Sequence, residues 1–326
     1  MRPTRMHRQM ALVLALFGTV VFPGLAAAQA SAPAASPDGS PVSVTVTATS
    51  KEKDQQLPEL SKADFLVYEG KERRPVLNVV PQKGPDDKLD LYIVVDDSID
   101  SSVSLNYPDI RNFVSELPST ARVGVVYTMN GTVQVAHDLT DDRDAALKTL
   151  RLPLGRTGVA GGIYLSLADL AKRLPANAGR RYTLLFLSSG IDAFRGVRST
   201  TPGINPDLDT AIDRLNRANI PVYSIYVSPA AHFGRGLYLV SNGQSCLSRL
   251  AEETGGEAYF QGFNTPISMK PFLDEMRGHL TNQYEVTFAA KARKKAGFAY
   301  IKVKTETSGV DLEAAEKVYV GGETKQ

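Results

Sequence analysis

The sequence predicts a doubly wound α/β domain with a mostly parallel sheet, flanked by a small β unit built from both chain ends. Three observations carry this expectation. Short apolar runs at Leu91 to Val95, Val123 to Tyr127, Thr183 to Leu187 and Val222 to Val227 alternate with segments of helical periodicity. Strands covered on both faces read as continuous apolar runs, and strands alternating with helices build parallel sheets. The segments before and after this block alternate with a period of two instead, which marks half-buried strands. The length of 326 residues and an apolar share of 43% suit one large α/β domain with appendages, or two domains, and exclude wholesale disorder.

Residues 1–28 read as a secretory signal. Arg2, Arg5 and Arg8 precede the apolar run Ala11 to Val21, and Ala26-Ala27-Ala28 supplies a small-residue cleavage site. The apolar run is short for a membrane span, although an uncleaved anchor is the alternative. A lipid anchor is excluded, since Cys246 is the only cysteine and lies far from the signal. No later stretch is long and apolar enough to span a bilayer, so the expectation is a secreted or periplasmic protein with no stable membrane span after cleavage. The formal charge of +2 belongs to the precursor. Without the three signal arginines, 34 bases face 35 acids. A balance near zero argues against nucleic-acid binding by bulk positive charge.

Residues 29–41 are rich in Ala, Ser and Pro and read as a flexible linker. Residues 42–88 form the N-terminal β unit: Val42, Val44 and Val46 alternate with Ser43, Thr45 and Thr47. Phe65 to Tyr68 and Val76 to Val80 read as a strand pair turned by Glu69-Gly70-Lys71. Residues 89–282 form the α/β domain, with helical patterns over 107–116, 142–150, 161–174, 206–218, 245–254 and 267–281. Residues 228–244 read as a long loop, a plausible partner contact or a cover for a sheet edge. In residues 283–326, Tyr284 to Ala289, Tyr300 to Thr305 and Lys317 to Val320 read as strands that pack with the N-terminal unit.

Open α/β sheets bind ligands outside the carboxyl ends of their strands. The first α/β strand ends in Asp96-Asp97-Ser98-Ile99-Asp100-Ser101-Ser102, the densest cluster of oxygen donors in the chain. Hard divalent cations take such oxygen ligands. A solvated loop with a helix cap reads from the same residues equally well.

Asp96-x-Ser98-x-Asp100 resembles the first metal-site motif of von Willebrand factor type A domains, Asp-x-Ser-x-Ser after the first strand. Thr157, ahead of a helix near Gly161, stands where that family has its metal-site threonine; on its own it reads as readily as a helix N-cap. Phe186 to Gly190 resembles the strand that ends in Thr-Asp-Gly, and Thr254-Gly255-Gly256 the later Thr-Gly-Gly turn. The flanks around Leu60 to Lys71 and Gln283 to Phe288 are similar to those of bacterial VWFA-related proteins. The resemblance spans about residues 42–320. It implies a Rossmann-like fold and a non-enzymatic interaction module. It also implies Mg²⁺ or Mn²⁺ at Asp96, Ser98 and Thr157, completed either by Asp100 as a direct ligand or by Asp192 through a rearranged loop, with a protein partner supplying a further ligand. Two positions depart from the pattern: Asp100 replaces a serine, and Ser189 stands at the late aspartate, with Asp192 three residues on. A metal-free scaffold in a cell-envelope assembly is the alternative, and a metal-assisted hydrolase the third reading.

Other signals carry less. Ile93 to Ser98 also resembles the opening strand of a receiver domain, but Val123 to Thr128 leads into Met129-Asn130 where a phosphoacceptor aspartate is needed. Gly158 to Gly162 lacks the Gly-Lys-Ser/Thr ending of a phosphate loop. His137, His232 and His279 are scattered, and no G-x-S-x-G elbow occurs. Cys246, on an apolar helical pattern, reads as a buried small residue. Lys291, Arg293, Lys294 and Lys295 read as a solvated hairpin tip.

Overall fold

The computed structural model describes residues 39–52, 56–84, 87–155, 161–174, 179–230 and 236–322. The signal, most of the linker, Thr157 and His232 lie outside the described residues.

The chain opens with β1 (Ser40–Ser50), β2 (Leu66–Glu69), β3 (Glu72–Arg74) and β4 (Val76–Pro81). The α/β block follows: β5 (Leu89–Asp96), α1 (Tyr107–Ser115), β6 (Arg122–Met129), β7 (Thr132–Thr140), α2 (Arg143–Lys148) and α3 (Ile163–Arg173). It continues through β8 (Arg181–Ser188), α4 (Pro206–Arg217), β9 (Val222–Tyr226), α5 (Leu237–Thr254), β10 (Ala258–Tyr259) and α6 (Lys270–Thr281). The chain closes with β11 (Gln283–Ala290), β12 (Gly297–Lys304), β13 (Val310–Ala314) and β14 (Lys317–Val320).

The six-stranded sheet runs β10-β9-β8-β5-β6-β7, parallel except for the edge strand β7. Counted from β5 as first, this is the doubly wound order 3-2-1-4-5-6. β5 lies at its centre with all eight residues buried. Leu89, Leu91, Ile93 and Val95 point to one face, against α1, α2 and α6; Tyr92 and Val94 point to the other, against α3, α4 and α5. The period of two in a strand divides an unbroken apolar run between two cores, each fully buried Val, Leu or Ile contributing roughly 1.5–3 kcal/mol.

The two chain ends interleave in two four-stranded sheets, β13-β1-β11-β4 and β14-β12-β2-β3, which close over Val44, Val46, Phe65, Val286, Phe288 and Ile301.

Several local expectations are corrected. Gly70 (φ 61°) turns β2 into β3, and β4 pairs with β11 in the opposite sheet. Pro75, with no N–H to donate, stands where the chain changes sheets. The helix expected over 245–254 begins at Leu237, so the long loop ends earlier. Gly243, which obscures this helix in sequence, is required by packing: a Cβ there would lie 2.3 Å from the Ser189 carbonyl oxygen. β13 was not expected from the sequence, and β1 starts at Ser40, within the expected linker. Cys246 is fully buried and its thiol donates to the Thr200 carbonyl at 3.3 Å. In the basic turn, Lys291 and Arg293 pair with Glu72 and Glu69 at 3.4 and 2.8 Å.

Candidate functional site

The carboxyl ends of β5 and β8 bring Asp96 together with Ser188. Asp96 ends the central strand and is fully buried. Its Oδ1 accepts from the Ser98 N–H at 2.9 Å and the Ser98 hydroxyl at 2.6 Å, and its Oδ2 accepts from the Ser188 hydroxyl at 2.7 Å. Burial pushes the Asp96 carboxyl up, and the Ser98 and Ser188 hydroxyls oppose this. Because Ser98 spends its proton on Asp96, its oxygen lone pairs remain available to a cation or a donor.

Asp192 lies in the loop after β8 and is 3% exposed. Its Oδ1 accepts from Gly162 N–H at 3.1 Å and Phe194 N–H at 2.9 Å. Its Oδ2 is buried with no hydrogen-bond partner among the described residues. Burial raises this carboxyl as well, and the negative charge of Asp192 adds to the rise at Asp96.

The neighbouring aspartates are neutralised differently. Asp97 forms a bidentate pair with Arg151 at 2.7 and 2.9 Å, and its Oδ1 also accepts from Leu154 N–H at 2.9 Å. The guanidinium lies 3.8 Å over the Tyr127 ring. Asp207 holds Arg195 at 2.7 Å. At the opposite, amino-terminal edge, Asp90 takes Arg122 and Arg180, each at 2.6 Å, and Asp87 takes Arg181 at 2.6 Å. Among the described residues, Asp96 and Asp192 are buried without such a cation, and buried charge is costly unless it is paired.

Asp100 caps the 3₁₀ turn 101–106: its Oδ1 accepts from Ser102 N–H at 2.9 Å, and its own N–H donates to Ser228 O at 2.8 Å. The segment that carries Thr157 lies outside the described residues, but its two ends are fixed at this edge. Gly155 N–H donates to Asp97 O at 2.9 Å, and Gly162 (φ 81°) donates to Asp192. Ser189 keeps a local role, its hydroxyl accepting from Ile191 N–H at 3.4 Å.

The chemistry of the donor set suits a hard cation. Ser98 Oγ, the orphaned Asp192 Oδ2 and the second lone pair of Asp96 Oδ2 are oxygen donors, the kind Mg²⁺ and Mn²⁺ take while retaining water. Among the described residues no three His, Cys, Asp or Glu side chains form a metal-holding group, so any such site relies on hydroxyls beside the two aspartates. Ser188 and the Asp97–Arg151 anchor were missed in sequence, being 92 and 54 residues from the partners they hold.

No protein-family model matches the sequence, and no curated protein does. Solved structures similar to the chain include an aerotolerance-related membrane protein from Bacteroides fragilis, 12% identical over 59% of this chain and 98% of that one, with a TM-score of 0.43. BatB, a conserved hypothetical protein from Bacteroides thetaiotaomicron, is 12% identical over 59% and 97%, with a TM-score of 0.41. The VWA domain of SpRpn10 is 14% identical over 56% and 96%, with a TM-score of 0.35. The strand order, the single antiparallel edge strand and the Asp96-x-Ser98 turn at the tip of the central strand make the α/β domain a von Willebrand factor type A-like, Rossmann-like fold.

Proposed function

We propose that the protein is an exported, non-enzymatic interaction module that meets a protein partner at the carboxyl edge of its six-stranded sheet. One observation carries this reading. Of thirteen large apolar side chains that the described residues leave exposed, ten lie at that edge. Leu105 follows β5; Phe194, Val197 and Ile204 follow β8; Leu237 and Tyr238 follow β9; Phe263 and Ile267 follow β10; Leu152 and Leu154 sit on the segment tied to Asp97. Ile267 is 91% exposed and Leu105 79%. Scattered apolar residues are normal on a surface, but a concentration on one edge marks an interaction site. Export rests on the signal-like residues 1–28; no described helix is long and apolar enough to cross a membrane.

The uncompensated carboxylates favour a cation at the centre of this edge. Asp96, Ser98 and Asp192 would hold Mg²⁺ or Mn²⁺, with Thr157 and Asp100 as the further positions that the type A resemblance supplies. The ion would offer a coordination position to a carboxylate of the partner.

The test is site-specific photocrosslinking on the exporting cell. A crosslinker at Leu237 or Ile267 should capture one reproducible partner, and a crosslinker at Val80, exposed on β4, should not. Equal capture from both positions, or none from the rim, sinks the proposal.

A further inference from the structure

Away from the carboxyl edge, the outer face of the sheet β14-β12-β2-β3 gathers bases without acids. On β12 the period of two sends Ala299, Ile301 and Val303 into the core beside Val67 of β2. Tyr300, Lys302 and Lys304 therefore point outward, and all three are exposed. Lys302, Tyr68 and Arg73 are direct cross-strand partners on β12, β2 and β3, so the half-buried Tyr68 lies between two exposed cations. Lys304, two residues along β12, sets its Nζ 5.7 Å from the centroid of the same ring. Three cations thus surround one tyrosine, and no outward-facing position of β12, β2 or β3 carries an acid.

Two further observations point to a ligand. Like charges gathered on one sheet face destabilise it, and elsewhere this chain supplies its flanking-sheet bases with acids. Lys291 and Arg293 hold Glu72 and Glu69 at 3.4 and 2.8 Å, and Lys317 holds Asp213 at 2.7 Å. Lys302, Lys304 and Arg73 form no ion pair among the described residues. Independently, Tyr300 is 67% exposed in line with the two lysines, one of the few large apolar side chains left exposed away from the carboxyl edge.

We infer that the β12–β2–β3 face docks on a bilayer carrying anionic lipid, with Lys302, Lys304 and Arg73 on headgroup phosphates and Tyr300 among the headgroups. Bases close to an anionic bilayer each strengthen attachment about fivefold. Lysine stems reach across apolar surface while the ammonium stays in water, and tyrosine places an apolar ring below a polar tip. A sheet face presents these side chains side by side, which suits an extended planar surface. A nucleic acid held by charge fits less well, since 34 bases face 35 acids once residues 1–28 are removed. The choice of a bilayer rests on the export proposed above, because an exported protein works beside such a surface. The contact would leave the carboxyl edge free for its protein partner.

Cosedimentation of the mature protein with vesicles tests the assignment, using phosphatidylcholine alone and phosphatidylcholine mixed with phosphatidylglycerol. The protein should sediment with the mixed vesicles, less so as salt rises, and not with phosphatidylcholine alone. Lys302→Gln/Lys304→Gln/Arg73→Gln should weaken binding at least about tenfold. Tyr300→Ser should weaken it severalfold and leave the salt dependence in place. Leu237→Ser/Ile267→Ser should bind vesicles like wild type, which separates this face from the carboxyl edge. All the substituted side chains are exposed, so the variants retain the fold. No sedimentation with the mixed vesicles, equal sedimentation with both kinds, or binding unchanged in the triple glutamine variant overturns the assignment. Loss of vesicle binding in Leu237→Ser/Ile267→Ser overturns it too, as does binding to a single-stranded oligonucleotide but to neither vesicle.

Discussion

Glu313→Gln should make the protein more stable, and increasingly so as pH rises. Glu313 sits on β13, where the Thr49 side chain lowers its carboxyl slightly and the charges of Glu257, Asp311 and Glu275 raise it. Burial and these like charges push its carboxyl from the ordinary 4.5 up to about 7. Below about pH 4.5 the folded and unfolded states both hold the proton, and Glu313 has little effect on the balance. Between 4.5 and 7 the unfolded chain releases the proton while the folded chain retains it, so wild type loses stability as pH rises. Above about 7 the folded protein carries an unfavourable charge and the loss is complete. Each unit is worth about 1.4 kcal/mol, and screening at this partly open position reduces the total to about 2 kcal/mol. The assay is urea unfolding of wild type and variant at intervals from about pH 4 to pH 8. The stability difference should grow through that window in favour of the glutamine. A constant difference, or one that grows in favour of wild type, would refute the reasoning.

Three further outcomes follow from the same structure. Arg151→Met strands the buried Asp97 and should cost about 2–3 kcal/mol in urea unfolding, less than for a wholly buried pair because Arg151 is one-third exposed; adding Asp97→Asn should restore part of the loss. Asp192→Asn should raise the melting temperature of metal-free protein by removing one of two unpaired buried charges, and should abolish any Mn²⁺-induced rise seen in wild type. Cys246, whose thiol burial pushes up to about 11, should resist a thiol reagent at neutral pH until the protein unfolds; rapid labelling of folded protein would contradict its placement.

How far these features could be read in the sequence depends on the range of the interactions that make them. β5 was legible because a strand buried on both faces needs an apolar residue at every position, and Leu91 to Val95 provides them locally. The start of α5 was not. Asn242 and Gly243 break the helical signal, and the reason for Gly243, the close approach of the Ser189 carbonyl, comes from another loop. Likewise Pro75 looks like an interruption within one strand pair, whereas it marks the passage from one sheet to the other. At the carboxyl edge, the Asp96–Ser98 contact spans two residues and shows in the motif. Its completion by Ser188, and the anchoring of Asp97 by Arg151, arise only when segments 92 and 54 residues apart are brought side by side.

The claim that the carboxyl edge is the contact surface is tested most directly by the affinity of the rim-crosslinked partner for a variant with Leu237→Glu and Ile267→Glu. These side chains are 71% and 91% exposed, so charge there should leave thermal stability unchanged. The account predicts that the partner binds the variant at least about tenfold more weakly than wild type. Unchanged affinity, with binding lost instead in Val80→Glu or Tyr300→Glu on the flanking sheets, would contradict it.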